Sequence, residues 1–264
     1  MQVNNKHIVQ TSNLAIGYQT KKQQTCVVDN INLSLNKGKF ACILGKNGIG
    51  KSTLLRTLTK VQPKLSGEIL INKYPLETIS NHELAKKMSL VLTERIPDSN
   101  LNVYELIALG RQPYTNWIGK LNDNDLQQIN LAINRVHIED LLHKRHDELS
   151  DGQLQKVMIA RALAQDTELI ILDEPTAHLD IHNKIELFSL LNNLSKDLQK
   201  TILISTHEIH LALQLADELW LMNDNGIVSG STEDLIDDGS VSKLFSSNLV
   251  KFDIKSKQFI INTD

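Results

Sequence analysis

Four short apolar runs recur along the chain, at Phe40–Leu44, Leu90–Leu92, Leu169–Leu172 and Ile202–Ile204. Segments with a helical pattern separate them. Parallel strands that are covered by helices are buried on both faces, so their sequences are continuously apolar rather than alternating. The pattern therefore predicts the α/β class, with a parallel sheet built from these runs.

A different pattern precedes residue 40 and returns after Gly67, where apolar residues partly alternate with polar ones. Its apolar members are Val27, Val28, Ile31, Leu33, Leu35, Ile69, Leu70 and Ile71. Alternation of this kind is typical of strands with one face in solvent. We expect a small antiparallel sheet in addition to the parallel one.

Residues 94–150 have a strongly helical pattern. Asn102 and Glu105 have the spacing of an N-terminal capping box, and a helical spacing joins Leu126, Ile129, Ile133 and Val136. We interpret 94–150 as a helical subdomain inserted into one domain that spans 1–264. The alternation from Val250 to Ile261 predicts a hairpin within a C-terminal extension, 240–264.

Composition limits the kinds of partner. The chain has 264 residues, a formal net charge of −3 and no polybasic run, so charge alone would not hold a nucleic acid. Its two cysteines, Cys26 and Cys42, make neither a disulfide framework nor a thiolate zinc site. The first ten residues are too polar for a signal peptide, and no apolar stretch is long enough to span a membrane. We expect a cytoplasmic protein without a membrane span.

The segment Gly45–Ser52, GKNGIGKS, matches the phosphate-binding pattern G-x-x-x-x-G-K-[ST]. It follows an apolar run and precedes a helical pattern, which is the order this loop requires. Its glycines let backbone N–H groups face phosphates at a helix N-terminus, where Lys51 reaches the β and γ phosphates and the Ser52 hydroxyl binds Mg²⁺. The candidate phosphate-binding residues are Gly45, Asn47, Gly48, Gly50, Lys51, Ser52 and Thr53.

Two acids, Asp173 and Glu174, end the apolar run at Leu169–Leu172. Ligands of open α/β sheets bind beyond the carboxyl ends of the strands. We expect Asp173 to hold Mg²⁺ and Glu174, one residue further, to polarise an attacking water as the general base.

A third motif, LSDGQ at 149–153, precedes another helical pattern, with Ser150 placed as the N-cap. With this set of motifs the chain closely resembles the ABC transporter ATPases, which have a phosphate loop, an LSGGQ signature, an acidic strand, a D-loop and a switch histidine in this order. The resemblance implies a P-loop NTPase core that binds and hydrolyses ATP. It also implies that Tyr18 stacks on adenine, that Asp180 belongs to the D-loop and that His207 is the switch histidine.

The same resemblance implies a head-to-tail dimer, in which each ATP lies between one phosphate loop and the signature of the second copy. Ser150, Gly152 and Gln153 would then present a helix N-terminus to the γ phosphate across the interface. Asp180 would order the facing site, and His207 would contact the γ phosphate.

The segment from Val103 to Arg111, with Glu105, Leu106 and Gly110, resembles the importer ATPases for iron siderophores, haem and vitamin B12. This resemblance implies transmembrane permease subunits as partners, an external substrate-binding protein, and a position on the cytoplasmic face of the cell membrane. A soluble ABC ATPase of an assembly machine, such as an iron-sulfur scaffold, would have almost the same core motifs and stays open as an alternative. A regulatory module that holds ATP without hydrolysing it is a third possibility.

The chain departs from the family pattern at Thr93 and Asp151. The family usually has glutamine at the first position, where it contacts Mg²⁺ and the membrane subunit, and threonine is too short to make the same metal contact with ease. Asp151 replaces a signature glycine, and we expect its carboxylate to turn away from the phosphates. Trp117 and Trp220 are interpreted as packing residues.

Overall fold

The computed structural model describes residues 6–19, 23–92, 99–244 and 250–262. The chain divides into two compact units. The first consists of Met1–Ile79 and Thr201–Asp264, and the second of Ser80–Lys200. Among the described residues, no helix combines the length and the apolar character that crossing a bilayer would need.

The first unit contains eleven of the described strands and four of the described α-helices. They are β1 (His7–Gln19), β2 (Gln24–Ile31), β3 (Ser34–Asn36), β4 (Phe40–Leu44), α1 (Lys51–Leu58), β5 (Ser66–Ile71), β6 (Tyr74–Pro75), β9 (Thr201–Ser205), α7 (Ile209–Leu215), β10 (Glu218–Asn223), β11 (Gly226–Ser231), α8 (Thr232–Asp237), α9 (Ser240–Leu244), β12 (Val250–Asp253) and β13 (Gln258–Ile261). A 3₁₀ turn covers Leu76–Thr78.

The second unit contains two strands and five α-helices among its described residues. They are α2 (Asn81–Ala85), β7 (Met88–Val91), α3 (Val103–Ala108), α4 (Asp123–Val136), α5 (Asp151–Ala164), β8 (Leu169–Asp173) and α6 (Ile181–Leu198). Short 3₁₀ helices lie at Leu109–Tyr114, Glu139–Leu141 and His146–Glu148.

Strand β4 is the central strand of the first unit. It pairs in parallel with β9 on one side and with β10 on the other, and β11 pairs antiparallel with β10. All five residues of β4 are fully buried, as its continuous apolar sequence predicts. Because β4 and β9 are parallel, the residues that follow Leu44 and Ser205 emerge at the same edge of the sheet.

The predicted antiparallel sheet is also present in the first unit. Its order is β2-β1-β5-β6, and β3 pairs with β1. The strand pair β12–β13 forms a separate hairpin, in which the rings of Phe252 and Phe259 lie 4.9 Å apart. The ammonium of Lys257 in this hairpin is 2.6 Å from the Glu233 carboxylate of α8.

In the second unit, β7 and β8 pair in parallel. The helix predicted around Ile129 is α4. Of the four residues that its helical spacing joins, Ile129, Ile133 and Val136 are buried, whereas Leu126 is 39% exposed. The inward position at this end of α4 belongs instead to Asp125, which is fully buried because it pairs with Arg111.

The packing role that the sequence predicts for the tryptophans holds for one of them. Trp220 lies in β10 and is fully buried, whereas Trp117 is 93% exposed. Asn116 closes a local turn in which its side-chain oxygen accepts the N–H of Ile118 and its carbonyl accepts the N–H of Gly119. This turn directs Trp117 into solvent, so the packing prediction for Trp117 is wrong.

A buried ion pair stabilises the helical part of the second unit. Arg111 Nε donates to Asp125 Oδ1 at 2.9 Å, and Arg111 Nη1 donates to the carbonyl of Ala164 at the end of α5 at 2.8 Å. The guanidinium also lies 4.0 Å from the centre of the Tyr114 ring. The preceding Gly110 has no room for a side chain, because a Cβ there would collide with the carbonyl of Arg161.

Candidate functional site

The loop between β4 and α1 has the form of a phosphate-binding loop. Gly48 and Gly50 have φ values of +75° and +114°, which glycine adopts without strain. A Cβ at Gly50 would also lie 2.8 Å from a methyl carbon of Val27. Gly50 is the N-cap of α1 and supplies no side-chain cap. The first N–H groups of α1 and its dipole therefore favour an anion at this end.

Lys51 lies within this loop and is 4% exposed. Its ammonium donates to the carbonyls of Gly45 at 3.0 Å and Lys46 at 3.2 Å, and it lies 3.3 Å from His207 Nε2. These contacts direct the ammonium along the inside of the loop, where phosphate oxygens would meet it.

His207 follows β9 and is held by a local turn. The N–H of Thr206 donates to the carbonyl of Ile43 in β4 at 3.1 Å, and the Thr206 hydroxyl accepts the N–H of Glu208 at 3.0 Å. A cavity of about 260 Å³ lies here, lined by Gly45, Lys46, Asn47, Thr206, His207 and Ile209. The structure thus brings the phosphate loop and the candidate switch histidine to one cavity within the first unit.

Tyr18 is connected to the same loop. It lies near the end of β1, opposite Thr25 of β2, and is 54% exposed. Its hydroxyl is 2.9 Å from the hydroxyl of Thr53, a buried residue in the first turn of α1. The exposed ring leaves a surface on which a base could stack, and the hydroxyl fixes the ring relative to the phosphate loop. Ser52, the residue before Thr53, is half-buried.

Asp173 and Glu174 belong to the second unit. Asp173 ends β8 and is 3% exposed, whereas Glu174 is half-buried. Glu174 has a φ of +46°, in the left-handed region that costs a side-chain-bearing residue free energy. Its carbonyl accepts the N–H of Ala177 at 3.1 Å, which closes a turn. Strained residues of this kind are concentrated at active sites. Here the left-handed conformation turns the chain away from the axis of β8 at Glu174.

The signature segment begins α5, with Ser150 as the N-cap that the sequence predicts. The N–H of Gln153 donates to the Ser150 hydroxyl at 3.3 Å, and the N–H of Ser150 donates to Gln153 Oε1 at 3.1 Å. This capping box fixes the first turn of the helix. The side chain of Gln153 is therefore a hydrogen-bond acceptor within this capping box. The side chain of Asp151 is exposed.

Asp180 is the N-cap of α6 and has a partner that the sequence analysis missed. Asp180 Oδ1 accepts the N–H of Asn183 at 2.8 Å, and Asp180 Oδ2 accepts Nδ2–H of the same residue at 2.8 Å. The backbone N–H of Asn183 is the main cause that holds the pKa of Asp180 below its usual value, and the side-chain bond adds to it. The capping spacing of Asp180 and Asn183 is visible in the sequence and could have indicated this pair.

The candidate residues thus form two groups. Tyr18, residues 45–53 and His207 belong to the first unit, whereas Asp173, Glu174, Ser150, Gly152, Gln153 and Asp180 belong to the second. Thr93 lies outside the described residues, so its role stays a prediction.

Comparison with known proteins identifies the family to which the chain belongs. Residues 28–177 match the family model for the ABC transporter. An ABC transporter ATP-binding protein of Methanocaldococcus jannaschii is 40% identical, over 90% of this chain and 81% of its own length. The probable siderophore transport system ATP-binding protein YusV of Bacillus subtilis is 33% identical, over 91% of this chain and 86% of its own length.

Two further matches extend the comparison. The iron(3+)-hydroxamate import ATP-binding protein FhuC of Bacillus subtilis is 33% identical, over 84% of this chain and 81% of its own length. Among solved structures, the dimeric ATP-binding cassette MJ0796, in a post-hydrolysis state bound to ADP and phosphate, is similar with a TM-score of 0.72. It is 26% identical, and the match covers 85% of this chain and 98% of that one.

Proposed function

Because the chain belongs to the ABC transporter ATPases, we propose that it is the ATP-hydrolysing subunit of an importer for iron siderophores or related chelates. The observation that carries this proposal is similarity along most of the chain to ATP-binding proteins named for siderophore and ferric hydroxamate import. Haem and cobalamin, the other cargoes that the Val103–Arg111 segment implies, are alternatives within the same class.

The chain's own residues suit ATP. The N-terminus of α1 and the buried ammonium of Lys51 bind the β and γ phosphates, and Tyr18 offers an exposed ring to the adenine. Ser52 and Asp173 would hold the Mg²⁺ that accompanies ATP, and this ion would supply positive charge that neutralises the phosphates. A hydroxyl and a carboxylate are the hard oxygen donors that this ion prefers.

Hydrolysis needs a base and a group that senses the γ phosphate. Glu174 accepts the proton of the attacking water, and the left-handed turn that carries it sets the direction of the carboxylate. His207, beside Lys51, binds the γ phosphate and stabilises the charge that develops on it.

The signature and the D-loop act on the nucleotide of a second copy. Ser150 and Gly152 at the N-terminus of α5 face the γ phosphate held by that copy, and Asp180 orders its site. The functional unit is a homodimer, bound to transmembrane permease subunits on the cytoplasmic side of the membrane. An external substrate-binding protein delivers the chelate.

Capture of the ATP-bound form tests this proposal. Tagged Glu174→Gln protein, which should bind ATP but hydrolyse it slowly, is isolated from detergent-solubilised native membranes with Mg²⁺ and ATP, and co-purifying proteins are identified. Lys51→Ala protein, which should not bind ATP, is the control. We expect a multi-span integral protein that Glu174→Gln retains more strongly. Soluble partners alone would contradict the importer and favour an assembly-machine ATPase.

A further inference from the structure

The side chain of Asn183 lies between two segments that the proposed function uses. On one side its Nδ2–H donates to Asp180 of the D-loop at 2.8 Å. On the other side it faces Gly152 of the signature, where a Cβ would lie 3.2 Å from the Asn183 Cγ and 3.3 Å from its Oδ1. One carboxamide therefore touches both segments within the second unit.

A second contact shows that α5 and α6 are neighbours beyond their first residues. The ammonium of Lys156 in α5 is 2.6 Å from the Glu186 carboxylate of α6. Gly152 and Lys156 are one helical turn apart, as are Asn183 and Glu186. The first turns of the two helices thus lie side by side, and Asn183 fills the space between them.

This arrangement gives Gly152 a role that backbone conformation does not explain. Gly152 is not among the positive-φ glycines of the described residues, so a side chain would not strain its backbone. A methyl group there would instead force Asn183 to move by a few tenths of an ångström. Such a shift of the carboxamide would lengthen its side-chain hydrogen bond to Asp180 Oδ2, whereas the bond from the Asn183 backbone N–H to Asp180 Oδ1 would stay.

We propose that Asn183 is a positioning residue that fixes the D-loop relative to the signature. It acts by bonding to Asp180 and packing on Gly152. This proposal rests on the proposed function in one respect, that both segments act on the nucleotide of a second copy. Asn183 itself touches no nucleotide.

Kinetics of an Asn183→Ala variant test the effect on catalysis. Because Ser150, Gly152 and Asp180 act across the dimer, we expect kcat to fall about three- to tenfold, the size of a lost hydrogen bond. The ATP dissociation constant of the dilute subunit should change less than twofold, because Tyr18 and the phosphate loop are untouched. Asn193→Ala, at an exposed position of the same helix, is the matched control and should change neither quantity. Equal turnover in the two variants would overturn the proposal.

A double-mutant cycle tests the contact with Gly152. Gly152→Ala should lower kcat in the wild-type background, since the new methyl displaces Asn183. In the Asn183→Ala background the three atoms nearest to the new methyl are absent, so the factor by which the same substitution lowers kcat should be at least threefold smaller. An equal loss in both backgrounds would mean that Gly152 serves the nucleotide alone, and it would contradict the link.

A measurement that needs no ATPase activity separates failure of this proposal from failure of the proposed function. The Asp180 carboxyl is titrated by NMR in protein labelled with ¹³C-aspartate. Asn183→Ala, which removes the side-chain donor, should raise its pKa toward the usual value. Gly152→Ala, which displaces that donor, should raise it less, and Asn193→Ala should not raise it. Asn183→Asp, of nearly the same size, should raise it as well. If the wild type hydrolyses no ATP, only the proposed function fails; an unchanged titration overturns the role of Asn183.

Discussion

The ammonium nitrogen of Lys51 lies 3.3 Å from the ring nitrogen Nε2 of His207. These residues are 156 positions apart in the sequence, and the parallel pairing of β4 with β9 brings them to one cavity. An ammonium group can only donate a hydrogen bond, so Nε2 of His207 is the acceptor that this contact offers to Lys51. The two side chains that we assign to the γ phosphate are therefore already in contact.

His207→Ala should separate phosphate sensing from nucleotide binding. Loss of one group that stabilises developing charge costs about 10²- to 10³-fold in turnover at other active sites. We expect a loss of this size in kcat, with ATP affinity nearly unchanged because Lys51 and the helix dipole remain. The measurement compares steady-state ATP hydrolysis with equilibrium binding. His210→Ala, at a nearby exposed histidine, should leave both near wild type, and comparable losses in the two variants would contradict the assignment.

Tyr18 should contribute to ATP binding through its ring rather than its hydroxyl. Stacking of a base on an aromatic side chain contributes about 1–3 kcal/mol. Tyr18→Ala should therefore weaken ATP binding by roughly five- to 150-fold. Tyr18→Phe, which loses only the bond to Thr53, should weaken it less than threefold. Isothermal titration checks both, with Tyr74→Ala on the same sheet as the control. Equal effects of Tyr18→Phe and Tyr18→Ala would refute stacking.

The left-handed φ of Glu174 predicts that glycine at this position gives a more stable protein than alanine does. Glycine is free of the left-handed penalty, so Glu174→Gly should be more stable than Glu174→Ala by about 1 kcal/mol. Both variants lack the carboxylate and should hydrolyse ATP about 10²- to 10⁴-fold more slowly than wild type. Thermal unfolding and turnover measure the two effects. If the unfolding temperature of Glu174→Gly is no higher than that of Glu174→Ala, the strain is not present in solution.

The buried pair of Arg111 and Asp125 should stabilise the second unit far more than an exposed pair does. Removal of one partner from a buried pair typically costs about 3–5 kcal/mol, because an uncompensated charge remains. Asp125→Ala should show this loss in denaturant unfolding, whereas the combination with Arg111→Met should recover part of it. Asp147→Ala breaks the exposed pair with Arg145 and should cost about 1 kcal/mol or less. Similar losses for Asp125→Ala and Asp147→Ala would contradict this role.

Local patterns predicted the elements of the fold well. The run at Phe40–Leu44 is β4 residue for residue, and the caps at Asn102 and Ser150 are present with their partners Glu105 and Gln153. Burial and capping are local consequences of composition and spacing, so they can be read from one segment at a time.

Contacts between distant segments were not predicted. Arg111, part of a segment that resembles importer ATPases, turns out to be bonded to Asp125 and to the end of α5, which no local pattern reveals. The contact between Asn183 and Gly152 could not be predicted either, since it depends on how α5 packs against α6. The left-handed φ of Glu174 is equally invisible, because glutamate has no preference for it. The sequence could therefore predict candidate site residues but not the contacts that orient them.

Uptake of a radiolabelled ferric hydroxamate tests the central claim most directly. Cells of the source organism that lack the chromosomal copy receive wild-type protein, Glu174→Gln protein or an empty vector, and iron accumulation is followed with equal protein levels. We predict that only the wild type restores uptake. The same cells are offered a ferric catecholate, haem and cobalamin, which identifies the cargo if it is another chelate. Full accumulation of all four compounds without the wild-type protein would contradict an importer ATPase for these chelates.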